Sequence, residues 1–252
     1  MSWISNIFTG TKSKEKHLGN IDFSSIKTDI HSHLIPGIDD GVQTIEESIS
    51  LLKSLQELGF KKVVTTPHIM GDYFRNTPEN INAGLAEVRN AIKENELDIE
   101  LYAAAEYYLD DSFIKKIEAK EKLLSINEKY ILFEVSYINA PEKIYTVIFE
   151  LTVQGYIPIL AHPERYPYWY GNHAVYEKLH ESGAKLQLNT NSLVGYYGPA
   201  AKKCAEYLID HKMIEFIGSD MHGVRHLEAL RKVPNEKYFR KLSEQGVLNS
   251  TL

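Results

Sequence analysis

Cysteine is almost missing from these 252 residues. Cys204 is the only one, so no intrachain disulfide can form and nothing asks for an oxidising compartment. Nor can it serve a cysteine-dependent phosphatase, which needs an arginine six positions after its nucleophile; that position is Asp210. Excess positive charge is missing too. Lys+Arg 28 against Asp+Glu 34 gives a net charge of -6, the wrong sign for a nucleic-acid or anionic-membrane surface. No apolar run approaches the length of a membrane span. The start of the chain lacks the basic region and long apolar stretch of a signal peptide, so the expected location is the cytoplasm. Walker and dinucleotide-binding glycine patterns are absent, which excludes those nucleotide chemistries. Ser48 and Ser219 have no triad context.

What is present is an ordinary globular composition, 43% hydrophobic and 25% charged, enough for a sizeable core. Residues 1–22 read as an N-terminal extension. Trp3, Ile4, Ile7 and Phe8 are apolar, while Thr9 to Lys16 is polar and basic, as in a frayed tail or a small tethering patch. From residue 23 to 252 the pattern is that of a single domain. Seven runs rich in aliphatic and β-branched residues recur: Ile26–Ile30, Lys62–Thr66, Ile99–Ala104, Tyr130–Val135, Ile157–Ala161, Lys185–Leu188 and Glu215–Gly218. Several are apolar almost throughout, as in parallel strands covered on both faces.

Helical spacing fills the gaps. Thr44–Leu58 carries Ile45, Ile49, Leu52 and Leu55 on one face, with Thr44 and Glu47 placed for a capping box and Gly59 after the end. Pro78–Asn95, Asp111–Lys120, Pro141–Gln154, Asn172–Ser182 and Pro199–Lys212 are further helices. Alternation without a linker predicts an α/β fold. Seven units predict a closed or nearly closed barrel, with a doubly wound open sheet as the alternative.

Metal-binding residue types fall at the ends of these strands. His31 and His33 follow the first, with Asp39 and Asp40 beyond a Pro36-Gly37 turn. His68 follows the second, Glu106 the third, Glu134 ends the fourth and His162 follows the fifth. Asn189 and Asn191 follow the sixth, and Asp220 and His222 the seventh. In a parallel barrel all strand C-termini share one face, so these residues converge there. Imidazoles and carboxylates together suit divalent metals, and an unpartnered Glu106 or Glu134 at the end of an apolar strand would be costly to bury.

Each residue also has an ordinary reading: a surface histidine pair for His31 and His33, a hydrogen-bonded core residue for His68 and His162, a salt bridge for the acids. The shared strand-end placement favours ligation. Arg165, just past His162, and Arg225, three residues past His222, are candidates to hold a phosphate, since a guanidinium binds it bidentately. Tyr166, Tyr168, Trp169 and Tyr170 read as packing or a subunit contact before a substrate wall. His17, His173, His180, His211 and His226 read as ordinary surface or core histidines.

The stretches Asp29-Ile-His-Ser-His-Leu-Ile-Pro-Gly-Ile-Asp-Asp-Gly41, Thr65-Thr-Pro-His68, Ala161-His-Pro-Glu-Arg-Tyr166 and Ser219-Asp-Met-His222 resemble those of the polymerase and histidinol phosphatase (PHP) family. More narrowly, they resemble its bacterial protein-tyrosine phosphatases of capsule and exopolysaccharide gene clusters. The resemblance implies a distorted (β/α)7 barrel with three divalent ions, manganese foremost and iron, zinc or magnesium as other candidates. One ion would take His31, His33, Glu106 and Asp220. A second would share Glu106 and add Glu134 and His162, and a third would take Asp40, His68 and His222.

It further implies phosphotyrosine hydrolysis by in-line attack of metal-bound hydroxide, with Arg165 and Arg225 on the phosphate. The implied partner is the phosphotyrosine-bearing tail of a membrane tyrosine autokinase. A small-molecule phosphatase of the histidinol-phosphate type shares the same ligands, and a non-catalytic metal-binding regulator is the rival from another class.

Overall fold

The computed structural model describes residues 22–252. The expected extension, residues 1–22, lies outside the described residues apart from Asp22. Among the described residues nine strands form: β1 Thr28–Asp29, β2 Lys62–Thr65, β3 His68–Ile69, β4 Glu100–Ala103, β5 Glu106–Tyr108, β6 Tyr130–Glu134, β7 Ile157–Ala161, β8 Lys185–Asn189 and β9 Phe216–Gly218. Their order is β1-β2-β4 in one sheet and β3-β5-β6-β7-β8-β9 in the other, and every ladder between them is parallel.

The seven expected runs coincide with seven of these strands, and β3 and β5 lie just past the ends of the second and third runs. β2 and β3 are one chain path interrupted at Thr66-Pro67, because proline has no N–H to continue a ladder. β4 and β5 break beside them at Ala104-Ala105. Hydrogen bonds cross the break, from Ala104 N to Thr65 O at 2.9 Å and from Glu106 N to Pro67 O at 3.2 Å. Counted as bent staves, β2–β3 and β4–β5 leave seven in sequence order.

Closure happens at the strand ends. Ser32 bridges Met221 in parallel, His33 N donates to Met221 O at 2.9 Å, and Asp220 N donates to His31 O at 2.8 Å. Below that point β1 and β9 part, and the side chain of buried Asn249 spans the gap. Its Nδ2 donates to Thr28 O and Ile217 O, both at 2.8 Å, and its Oδ1 accepts from Ile217 N at 2.9 Å. The result is a distorted (β/α)7 barrel whose closing seam holds the His31-Ser32-His33 and Asp220-Met221-His222 segments.

Among the described residues eight α-helices surround it: α1 Ile45–Glu57, α2 Pro78–Glu94, α3 Asp111–Glu118, α4 Ile144–Val153, α5 Ala174–Glu181, α6 Pro199–Asp210, α7 Val224–Leu230 and α8 Lys237–Gln245. Thr44 caps α1 by accepting from Glu47 N at 3.2 Å, but Glu47 reaches back to Gln43 N, at 2.7 Å, not to Thr44 N as a capping box requires. α4 starts later than Pro141 predicts, and α7 and α8 lie beyond the helices expected from spacing. Inside the barrel Ile30, Val64, Leu132, Ile159 and Phe216 pack together, with Leu248 and Leu252 closing the lower end. That packing holds the staves in register and leaves the upper end for polar side chains.

Candidate metal centre

Nine imidazoles and carboxylates meet over the upper end of the barrel, and the local chain explains how each arrives. β1, β7 and β9 stop just before His31, His162 and Asp220. His162 (φ 34°) and Asp220 (φ 50°) then adopt the left-handed region, which non-glycine residues occupy at a cost of about 1–3 kcal/mol, most often at functional sites. Gly218 is fixed by the same crowding: a Cβ there would lie 2.6 Å from His31 Cβ and 2.7 Å from Gln187 Nε2.

The ligand-type atoms are spaced as around cations. With bonds of about 2.1 Å, two ligands of a tetrahedral ion sit about 3.4 Å apart. His31 Nε2 lies 3.3 Å from His33 Nε2, 3.3 Å from Asp220 Oδ1 and 3.0 Å from Glu106 Oε2. His162 Nε2 is 3.2 Å from Glu106 Oε1 and 3.8 Å from Glu134 Oε2. Asp40 Oδ1 is 3.5 Å from His68 Nε2 and 3.3 Å from His222 Nε2. Four overlapping groups could each hold an ion: His33, Asp40, His68 and His222; His31, His33 and Asp220; His31, Glu106 and His162; His68, Glu106 and Glu134. Because His31, His33, His68 and Glu106 each belong to two groups, the groups form one continuous cage.

Surrounding partners aim the rings. His31 Nδ1 donates to Gln187 Oε1 at 2.9 Å, His33 Nδ1 to Asp39 Oδ2 at 2.7 Å, and His222 Nδ1 to Asp220 O at 2.9 Å. With each Nδ1 proton so placed, each Nε2 lone pair faces the cage. Asp39 also accepts from His68 N at 3.2 Å and Gly41 N at 3.0 Å. Asn189 Nδ2 donates to Asp220 Oδ2 at 2.9 Å, leaving Oδ1 toward His31. The sequence placed Asp39 and Asn189 near the site without these roles, and it missed Gln187. Its signal was a polar residue between two buried leucines, Leu186 and Leu188, in the middle of a strand.

The electrostatics ask for cations. His68 Nδ1 and Glu106 Oε1 are buried with no hydrogen-bond partner, a costly state that a cation relieves. Glu134 is pushed well above the usual carboxylate range by burial and by the charges of Glu106 and Asp220. Burial would raise Glu106 as well, but His31 and His68 outweigh it and hold Glu106 well below that range. Burial and then Arg165 push His162 down to about 4, which leaves it neutral with its lone pair available. Mixed nitrogen and oxygen donors of this kind fit divalent manganese, iron or zinc. Asp39→Asn is expected to weaken divalent-ion affinity about 10–100-fold, the usual loss when a ligand histidine loses its carboxylate partner. Calorimetric titration of the metal-free protein measures it.

The cage opens into a cavity of about 290 Å³. Arg165 reaches it from the turn after β7. Its guanidinium lies between the Tyr197 ring, at 4.0 Å, and the Tyr137 ring, at 5.0 Å, and Nη1 donates to Asp220 Oδ2 at 2.7 Å. Arg225 is not brought in. It lies exposed on α7, and His226 lines the cavity instead. Both residues lie in the first turn of α7, where successive side chains point about 100° apart, so one faces solvent while the next turns into the cavity. The His226 and His222 rings are 5.3 Å apart, so the sequence reading of His226 as an ordinary histidine is corrected. Tyr166 and Trp169 are buried packing residues.

With this geometry in place, comparison with known proteins is specific. The family model described as "Capsular polysaccharide synthesis, CpsB/CapC" matches residues 27–245. The chain belongs to the CpsB/CapC family. CapC of Staphylococcus aureus is 32% identical over 219 residues, 86% of each chain. The tyrosine-protein phosphatase CpsB of Streptococcus pneumoniae is 30% identical over 201 residues, covering 78% of this chain and 83% of that one. Among solved structures, a chain from the crystal structures of YwqE from Bacillus subtilis and CpsB from Streptococcus pneumoniae, metal-dependent tyrosine phosphatases, aligns with a TM-score of 0.76. It is 26% identical and covers 86% of this chain and 91% of its own. In this CpsB/CapC chain the matched segment contains all nine candidate ligands and Arg165. Among the described residues, no helix is long and apolar enough to cross a membrane.

Proposed function

We propose that this CpsB/CapC protein is a metal-dependent protein-tyrosine phosphatase whose catalytic domain is residues 23–252. The observation that carries the reading is the cage around Glu106, open to a cavity that also receives Arg165. Three divalent ions, manganese first, would be held by His31, His33, Glu106 and Asp220; by Glu106, Glu134 and His162; and by Asp40, His68 and His222. Bound there, such ions lower the pKa of water and stabilise charge on phosphoryl oxygens.

The chain's own residues do the rest. Burial opposes the charge of Arg165, but Tyr137 and Asp220 more than offset it, so a fixed guanidinium faces the phosphoryl group and orients it. Arg225, exposed on α7, has no part in this arrangement. The leaving phenolate has a pKa of about 10 and departs with less help from an acid than an alkoxide needs. Within this reading the substrate is the phosphotyrosine-bearing tail of a membrane tyrosine autokinase controlling capsular or exopolysaccharide synthesis, and the enzyme meets it in the cytoplasm. The family's link to capsule synthesis supports this.

The test compares a phosphotyrosyl peptide with histidinol phosphate, first after chelation and then with manganese restored. Metal-dependent preference for the peptide is expected. Preference for histidinol phosphate overturns the substrate, and no turnover of either supports a non-catalytic regulator.

A further inference from the structure

The cavity above the cage has two chemistries. Met70, Phe74 and Tyr137 supply its carbon walls, while every other lining side chain is ionisable. Phe74 stacks on His68 with centroids 5.6 Å apart and planes at 13°. Tyr137 stacks on His162 at 5.8 Å and 20°. Those two histidines approach Glu106 from its two oxygens, His68 Nδ1 at 3.3 Å from Oε2 and His162 Nε2 at 3.2 Å from Oε1. Phe74 and Tyr137 therefore rise on opposite sides of that carboxylate.

Both walls are held from behind. Phe74 sits on a short hairpin in which Met70 N donates to Phe74 O at 2.8 Å and Ile69 bridges Arg75. Asn76 Nδ2 ties its base to His68 O at 2.8 Å and Ile38 O at 2.9 Å, and Gly71 N donates to Asp110 Oδ2 at 2.8 Å. On the other side the Tyr137 ring packs 5.4 Å from the ring of buried Tyr166. Tyr168 Oη donates to Ser136 O at 2.7 Å, and Ser136 Oγ accepts from Ile138 N at 3.1 Å. Walls already fixed lose little entropy on binding.

Resting on the phosphatase reading, we propose that Met70, Phe74 and Tyr137 form an apolar leaving-group subsite that selects aryl over alkyl phosphate monoesters. The phosphoryl end of a monoester is charged and belongs with the ionisable side chains, so its ester group falls between the carbon walls. An aromatic ring there gains ring–ring contact with Phe74 and Tyr137 and sulfur–ring contact with Met70. A polar alkyl group gains neither, and its hydrogen-bonding groups lose water without replacement.

The test uses the manganese-loaded protein and two non-hydrolysable probes, phenylphosphonate and propylphosphonate, with affinities read by calorimetry. The unaltered protein is expected to prefer the phenyl compound. Phe74→Leu and Tyr137→Leu are each expected to cut that preference about two- to tenfold, the range for one aromatic contact. Tyr137→Phe, which keeps the ring, is expected to retain it. With phenyl phosphate as substrate, the loss in Phe74→Leu is expected in KM and not in kcat, as for binding shared by ground and transition states. An unchanged phenyl-to-propyl ratio in both leucine variants overturns the subsite. Selective phenylphosphonate binding without any phosphatase turnover overturns the phosphatase reading and leaves the subsite standing.

Discussion

Glu106→Gln is expected to lower turnover of a phosphotyrosyl peptide at least about a thousandfold at saturating manganese. Of all the candidate ligands, Glu106 stands at the centre of the cage. Its Oε2 lies 3.0 Å from His31, 3.3 Å from His33 and 3.3 Å from His68, and its Oε1 lies 3.2 Å from His162. A carboxylate can give one oxygen to each of two cations, whereas the amide of glutamine brings no charge and turns an N–H₂ group toward one of them. Stabilisation of transition-state charge by metal ions contributes several kcal/mol, and each 1.36 kcal/mol is about a factor of ten in rate. The side chain is fully buried and the substitution preserves its shape, so the fold is expected to survive. Turnover should be measured beside bound metal and thermal melting. A folded variant that keeps a tenth of its activity contradicts the shared-ligand role.

Arg165→Lys is expected to lower kcat/KM about 10²–10³-fold, the loss found when one preorganised donor to a developing oxyanion is removed. Lysine keeps the positive charge but loses the planar fork and the stacking between rings. Arg165 also donates to Asp220, so weakened metal binding is a competing cause of any loss. The two separate in one experiment. If Arg165 holds phosphate, inhibition by inorganic phosphate weakens in parallel while manganese affinity stays the same. Loss of manganese affinity with unchanged phosphate inhibition assigns Arg165 to positioning Asp220 only.

What the sequence made readable follows from where its information is local. Strand-end histidines and acids declare themselves because each follows an apolar run, and parallel topology then gathers them. The split of two staves turned on Pro67, a residue just past the second apolar run whose effect on the ladder shows only once β4–β5 lies beside it. Asp39 and Gln187 illustrate what stayed hidden. Their partners, His33 and His31, are six and 156 positions away, and only the second separation depends wholly on the barrel's closure. Arg225 and His226 show the reverse error. Their exchange depends on where α7 begins, and helix boundaries are the least certain part of any periodicity argument. The wall formed by Phe74 and Tyr137 comes from two loops with no regular pattern of their own, so only the fold reveals that they face one cavity.

The central claim is that one face of this barrel gathers three divalent cations for phosphoester hydrolysis. Anomalous scattering from crystals of the manganese-loaded protein tests it most directly. Three manganese peaks are expected, one among His31, His33, Glu106 and Asp220, one beside Glu134 and His162, and one among Asp40, His68 and His222. A map without manganese at these side chains, from protein that still hydrolyses phosphotyrosine after chelation, would contradict the account.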